Sequence, residues 1–423
     1  MWMYRSIVRP IISYASIIWW PRADVKASAR LLQRLQRMAC LAITGAIRTS
    51  PTAALEVILG LPPLPLFVKA EAEMSALRLS SVNEWKSGGT QVGHGKILNK
   101  AYRRLPKLKM REDFTSEQKV PKQCVQAFLH SRDEWANEAE AIISSNSISL
   151  FTDGSLTEGS AGAGYSCLDP PVSGSIPLGE NTTVFQAEVT AIILGLLEVA
   201  NANIENKSIR IFSDSRAAIQ AISGWDTRSA LVSECQKVIE SVSQNCGVTL
   251  HWVPGHTGIM GNEEADRLAV AGAQSSFIGP EPAVGMALQS KKSLIKDDLR
   301  NSHQLAWRST PKCRVSKIFM VDLLKSRTDF VVGSNRWKSR QFCNLVTGHC
   351  LRKHLHRLKL CNEIICRGCG EEEETAVHYV CECPSLVNHR RLVWGKGFLT
   401  PSELPLLNPV SLMRFVRKTG WMN

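Results

Sequence analysis

An α/β domain set inside a longer basic chain is the fold class that the sequence predicts, on three observations. Between residues 147 and 274, β-branched strand patterns alternate with helical ones. The same block holds 14 Asp and Glu against 6 Lys and Arg, whereas the 423-residue chain as a whole carries +13, so the remainder carries +21. Within the block, four apolar patterns each deliver one carboxylate. A chain this long exceeds one core and predicts two or three domains. Acid concentrated in one domain suits a bound cation, and basic flanks suit a phosphate backbone.

The first element is the strand SLFTDGSL, Ser149 to Leu156, which ends in Asp153. An Asp at a strand tip is most often a turn former. The helix TTVFQAEVTAIILGLLEVA follows, with Thr182 or Thr183 as N-cap. Helical spacing puts its Glu188 on one stripe with Ala191, Ile192 and Gly195, where an acid is costly unless something neutralises it. In SIRIFSDSRAAIQAI a strand runs into a helix, and Asp214 stands at the strand's carboxyl end. Ligands of open α/β sheets gather there, although an N-cap explains such an Asp equally well. In HTGIMGNEEADRLAVAGA, Asp266 opens a helix and shares a face with Asn262, Ala269 and Val270; alone it reads as a solvated acid, like Glu263 and Glu264. Four converging carboxylates would repel one another and take up protons. Divalent cations remove that conflict and equip the site for phosphodiester cleavage.

TDGS around Asp153, AE at Glu188, SDS at Asp214 and WVPGHTGIMGNEEAD from Trp252 to Asp266 resemble the type 1 ribonuclease H domain over about 130 of the 423 residues. The resemblance implies a ribonuclease H-like five-stranded mixed sheet flanked by helices, which hydrolyses the RNA strand of an RNA–DNA hybrid to leave a 3′-hydroxyl and a 5′-phosphate. It implies that Asp153, Glu188, Asp214 and Asp266 hold two Mg²⁺, with Mn²⁺ able to substitute. It places His256 in a mobile loop that assists proton transfer or product release, and Gly154, Ser155, Gln186, Ser215 and Asn262 at the substrate. The sequence departs from the family's pattern just before the helix Glu. Val184 and Phe185, followed by Gln186, stand where many members carry polar contacts to the hybrid. The 2′-hydroxyl distinguishes RNA from DNA, so a DNA-directed nuclease on this fold is one alternative. There is also no basic insertion between Trp225 and Arg228, where some members grip the hybrid.

The flanks divide by composition. Residues 1–82 read as an α-helical N-terminal region, with Leu31, Leu32, Leu35, Met38 and Leu41 at helical spacing and a proline break at LGLPPLPL. YRSIVRPIISYASIIWW and LQRLQRMACLAITGAIRTSPTAALEVILGLPPL resemble the thumb-like region that follows the palm in non-LTR retrotransposon reverse transcriptases. The one pair of adjacent aspartates, Asp297 and Asp298, reads as part of a surface helix. Polymerase activity is therefore expected to be absent, a separate reverse transcriptase is a candidate partner, and a non-catalytic nucleic-acid-binding remnant is the other alternative. Residues 83–146 read as a basic connector with a helix near Val125 to Ile143, and 275–300 as a linker around GPEPAVG.

Residues 301–423 are basic and form a small Cys/His-rich C-terminal region. Within 366–383, Cys366, Cys369, His378 and Cys383 have the spacing of a tetrahedral Zn²⁺ site, with Cys381 a rival fourth ligand. The motif resembles the Cys/His tail after ribonuclease H in the same retrotransposon class. HCLRKHLHRLKL can reach phosphates, and Trp307, Trp337 and Trp394 could stack on bases, so single-stranded nucleic acid is an expected partner of the flanks. Ile11 to Trp20 is half a membrane span and lacks a cleavage site, and thirteen cysteines are an odd number. No membrane partner and no disulfide framework are expected, and the protein is expected to be intracellular.

Overall fold

The β-branched and aromatic residues of the acidic block do form a sheet. A computed structural model describes the chain except for residues 83, 85–92, 117, 120–124, 144–146, 203–206 and 422–423. The chain divides into two units: one of Leu77–Gly88 and Leu98–Leu294, the other of Met1–Ala76, Gly89–Ile97 and Ile295–Asn423.

The first unit is built from β1 (Gln126–Phe128), α1 (Arg132–Ile143), β2 (Ser147–Thr157), β3 (Ser160–Cys167), β4 (Val172–Gly179), α2 (Val184–Asn201), β5 (Ser208–Ser213), α3 (Arg216–Ile222), α4 (Ala230–Ser243), β6 (Val248–Trp252) and α5 (Met260–Gln274). The sheet order is β1-β6-β5-β2-β3-β4. Neighbours from β1 to β2 run parallel, and β2-β3-β4 is an antiparallel meander. Ile148, Leu150, Ile209, Ile211 and Leu250 fill the sheet side of one core and meet Val189, Ile192, Leu196, Val232 and Ile239 from the helices. The helix α2 is long and apolar enough to cross a membrane, and here most of it is buried.

The mixed sheet has one strand more than the five expected. The sixth, β1, precedes the acidic block and pairs with the outer strand through Gln126–Thr249, Ala127–Leu250 and Phe128–His251. The helix expected from Val125 starts only at Arg132, because Ser131 and Glu134 close a reciprocal cap there: the Ser131 N–H donates to Glu134 Oε2 (2.6 Å) and the Glu134 N–H to Ser131 Oγ (3.2 Å). Phe128 and His130 then stack on His251 at centroid distances of 4.8 and 5.4 Å.

Two helices touch the central strands backbone to backbone. A Cβ on Gly154 would fall 2.4 Å from the Glu188 nitrogen of α2. A Cβ on Gly164 would fall 2.3 Å from the Ala265 oxygen and the Ala269 nitrogen of α5. Gly164 lies opposite Asp153 in the β2–β3 ladder. Only glycine permits such approach.

In the second unit the front and the tail, expected to be separate regions, share one core. Leu55, Ile58 and Leu59 from the front lie in one cluster with Trp307, Phe342, Tyr379 and Phe415 from the tail. The Ile47 N–H donates to Asn344 Oδ1 (3.1 Å), and Thr328 Oγ1 to the Ile58 carbonyl (3.0 Å). Trp307, considered for base stacking, is a core residue whose Nε1–H donates to the Met320 carbonyl (2.8 Å). All described cysteines are free.

Gly164→Ala forces a methyl group into the α5 backbone and should destabilise the protein by about 1–3 kcal/mol. Urea denaturation followed by circular dichroism measures this, and an unchanged midpoint would show that α5 does not rest on β3.

Candidate active site

Strand register brings the first two acids together. The strand expected to end in Asp153 runs on to Thr157, where it pairs with β3, so Asp153 lies inside β2. Thr152 pairs with Ser213 at the end of the parallel β2–β5 ladder, so Asp153 stands beside Asp214, the residue that follows β5. Glu188 enters from α2 next to Gly154, and oxygens of Asp153, Glu188 and Asp214 lie within 4.8 Å of one another. Asp266 enters from α5, and its carboxyl hydrogen-bonds that of Asp153. The Ser213 hydroxyl donates to Glu188 Oε2 (3.3 Å), and the Gly154 N–H donates to both Asp153 and Glu188.

Burial and mutual repulsion set the electrostatics. Burial, then the charges of Asp214 and Asp266, push the Asp153 carboxyl from 3.8 up to about 7. Glu188 is raised well above the usual range by burial and then by Asp153 and Asp214. Asp214 is raised by burial against the opposing pull of His256. Carboxyls held in this way store a demand for positive charge. An all-oxygen donor set fits a hard divalent ion.

His256 stands in the loop between β6 and α5 with φ +55°. Its side chain is 80% exposed, with Nδ1 4.0 Å from Asp266 Oδ2. With Glu263 and Asp266 it forms a second group whose candidate ligand atoms lie within 4.8 Å. Gly255 keeps this loop close, since a Cβ there would fall 2.4 Å from Asp214 Oδ2.

The residues expected at the substrate take different places. Gly154 supplies backbone and space. Ser155 is half-buried beside it on β2. Ser215 caps α3 by accepting from the Ala218 N–H (3.3 Å). Gln186 is not available to a substrate. It is 1% exposed, it closes the Thr183 capping box, and its amide donates to the Gly285 carbonyl (2.7 Å) and Asp113 Oδ2 (3.2 Å). Asn262 is also buried, with no partner for Oδ1 among the described residues. Val184 is 41% exposed and Phe185 packs against the core.

Sequence reasoning missed three supports of the site. Ser213 holds Glu188. Trp252 donates its Nε1–H to the Asp214 carbonyl (2.9 Å) and carries the Arg216 guanidinium 3.9 Å above its ring. Asp113, outside the acidic block, accepts from Ser229 Oγ and the Leu231 N–H at 2.8–2.9 Å. The Ser before an Asp at a strand tip was a legible signal; Asp113 gave none.

In the other unit Cys366, Cys369, His378 and Cys383 place their ligand atoms within 4.8 Å of one another. The Cys366 and Cys383 sulfurs are 3.6 Å apart, and Cys369 Sγ is 3.4 Å from His378 Nε2. His378 Nδ1 meets Glu372 Oε2 at 3.1 Å, which leaves Nε2 to face the sulfurs. That carboxylate–imidazole arrangement is typical around zinc. Cys381 is buried with its sulfur toward the Thr400 carbonyl (4.0 Å), outside the group.

Comparison with known proteins follows the same line. Residues 145–274 match the family described as RNase H. The chain is 32% identical over 143 residues to the ribonuclease H of Ruthia magnifica, covering 29% of this chain and 93% of that protein. It is 31% identical over 141 residues to the ribonuclease H of Erythrobacter litoralis, covering 29% of this chain and 92% of that one. Against mouse ribonuclease H1 it is 27% identical over 168 residues, 36% of this chain, and spans 56% of the mouse protein's length. With its acids gathered on such a sheet, the chain belongs to the ribonuclease H family.

Proposed function

We propose that this chain is a metal-dependent endoribonuclease that hydrolyses the RNA strand of RNA–DNA hybrids, within a retrotransposon-derived protein. The convergence of Asp153, Glu188, Asp214 and Asp266 carries the reading. In this reading those four carboxylates would hold two Mg²⁺, which would supply an activated water and stabilisation of the leaving oxygen. Ser213 and the Gly154 N–H orient Glu188. His256, exposed and beside Asp266, accepts or delivers a proton at its ring nitrogens. The products are a 3′-hydroxyl and a 5′-phosphate. The Cys/His group holds a structural Zn²⁺ through Cys366, Cys369, His378 and Cys383. The thumb-like front and the Cys/His tail support an origin in a non-LTR element.

Labelled RNA–DNA hybrid, duplex RNA and duplex DNA, each with Mg²⁺, test the activity; only the hybrid should be cut, and in its RNA strand. Asp214→Asn should lower the rate by at least about 100-fold without unfolding the protein, since changes around ligands alone cost 10–100-fold. Cleavage at the parent rate would refute the assignment.

The acid cluster also fixes a pH dependence. An acid raised from 3.8 to about 7 by folding binds its proton more tightly in the folded state, so its contribution to stability is intact at low pH and is lost as pH rises to about 7. In Mg²⁺-free buffer, the parent should lose more thermal stability between about pH 5 and about pH 8 than Asp153→Asn does, and Mg²⁺ should narrow the gap. Equal losses would mean that Asp153 is not under this strain.

For the tail, one zinc per full-length chain is expected by elemental analysis. Cys383→Ser should lose the metal and Cys381→Ser should keep it. The reverse pattern would make Cys381 the ligand.

A further inference from the structure

The second unit contains a cleft of about 1000 Å³ that the catalytic reading leaves unused. We infer that this cleft binds a single-stranded segment of nucleic acid, with phosphates on a cationic rim and an unstacked base inside. The inference rests on the reading of the protein as a nucleic-acid enzyme only for the class of ligand; the cleft lies in a different unit from the acid cluster.

Charge is the first ground. Lys312, Arg314 and Arg357 line the cleft, are exposed, and have no carboxylate partner among the described residues. The two acids that line it are already neutralised. Glu373 pairs with Lys353. Glu374 is fully buried and accepts from Arg367 at 2.7 and 2.8 Å and from the Arg352 N–H at 3.0 Å. Arg37 is occupied by the Ser50 carbonyl (2.9 Å) and Thr52 Oγ1 (2.8 Å), so it shapes the wall instead of offering a free charge.

The interior is of a different character. Pro51, Val315 and Ala376 line it, together with the paired rings of His349 and His354, 4.1 Å apart. The His349 ring meets the Thr347 carbonyl (2.6 Å) and the His354 ring meets Thr49 Oγ1 (3.1 Å), which fixes both planes. Burial lowers the titration of both rings, so the wall is uncharged at neutral pH. Ser50 also lines the cleft, is fully buried, and its hydroxyl has no partner among the described residues. Buried hydroxyls normally find partners, so this one points to an absent ligand.

Concavity selects the strand type. A duplex keeps its bases stacked inward and presents only phosphates. A pocket with apolar walls behind a basic rim suits a base splayed out of a single strand. A lipid headgroup or an acidic peptide meets the charge but has no use for the ring-lined interior.

The test uses the full-length protein and a 5′-labelled single-stranded DNA of about 20 nucleotides, followed by fluorescence anisotropy across a salt series. The triple variant Lys312→Gln/Arg314→Gln/Arg357→Gln should bind at least about tenfold more weakly and flatten the slope of log affinity on log salt by about 2, at roughly 0.7 per phosphate contact. Parent-like affinity and slope in a variant with parent-like circular dichroism would overturn the inference. Should the triple variant misfold, 4-thiothymidine crosslinking of the parent decides: adducts in residues 311–315 or 347–357 support the cleft, and adducts confined elsewhere refute it. Equal or tighter binding to phosphatidylserine vesicles or to a polyglutamate peptide would also refute it. Asp214→Asn should bind the single strand as the parent does while losing hydrolysis, and the triple variant should keep its kcat on saturating hybrid. Failure of this inference and failure of the catalytic reading are therefore distinguishable.

Discussion

Backbone touching backbone beside Asp153 is the constraint on which the catalytic unit depends. Gly154 follows Asp153 in the strand and Gly164 faces it across the ladder. Each clears the space for one helix, α2 at the first and α5 at the second. Each helix brings one acid, Glu188 or Asp266, to a carboxylate already fixed by the parallel register with β5. A side chain at either glycine would push a helix away and carry its carboxylate out of reach. The fold thus gathers four carboxyl groups where burial and mutual repulsion raise three of them above their usual range, a setting that suits a divalent cation.

That arrangement has a cost in substrate affinity. The acidic block carries a net negative charge and works on a polyanion. Cations bound there would neutralise the centre but would leave the surrounding surface unhelpful, and no basic insertion near Trp225 compensates. The excess positive charge lies elsewhere in the chain, and the rim of Lys312, Arg314 and Arg357 is one place where it faces an open cleft. Separating chemistry from grip keeps the cation site acidic without giving up attraction to phosphate.

The parts legible in the sequence were those written in short-range pattern. Asp214 announced itself at a strand end, Glu188 as an acid on an apolar stripe, and the start of α2 as a cap at Thr182 or Thr183, of which Thr183 is the one used; Asp153 was legible as an acid on a strand, although the strand continues past it. Glycine at 154 and 164 was visible, but its reason was not, because the helix it admits is distant in the chain. The sixth strand escaped because three residues carry little periodicity; its place comes from pairing with Val248–Trp252 and from Phe128 and His130 stacking on His251. The shared core of front and tail escaped for a related reason. Leu55 and Phe415 declare burial but not their common partners.

Gln186 shows how a motif position can mislead. It precedes the helix Glu and has the polarity to read a hybrid, yet every polar atom of its amide is spent on Thr183, Asp113 and Gly285. An amide so committed is a fastener that ties the start of α2 to segments outside the acidic block. With Val184 apolar and exposed beside it, the helix start offers no side-chain amide to a ribose. Any discrimination of a 2′-hydroxyl at this domain would then rest on hydroxyls and backbone near the acid cluster, among them half-buried Ser155 on β2, two residues past Asp153. The same substitution pattern that weakens the likeness to the family therefore narrows where its selectivity can reside.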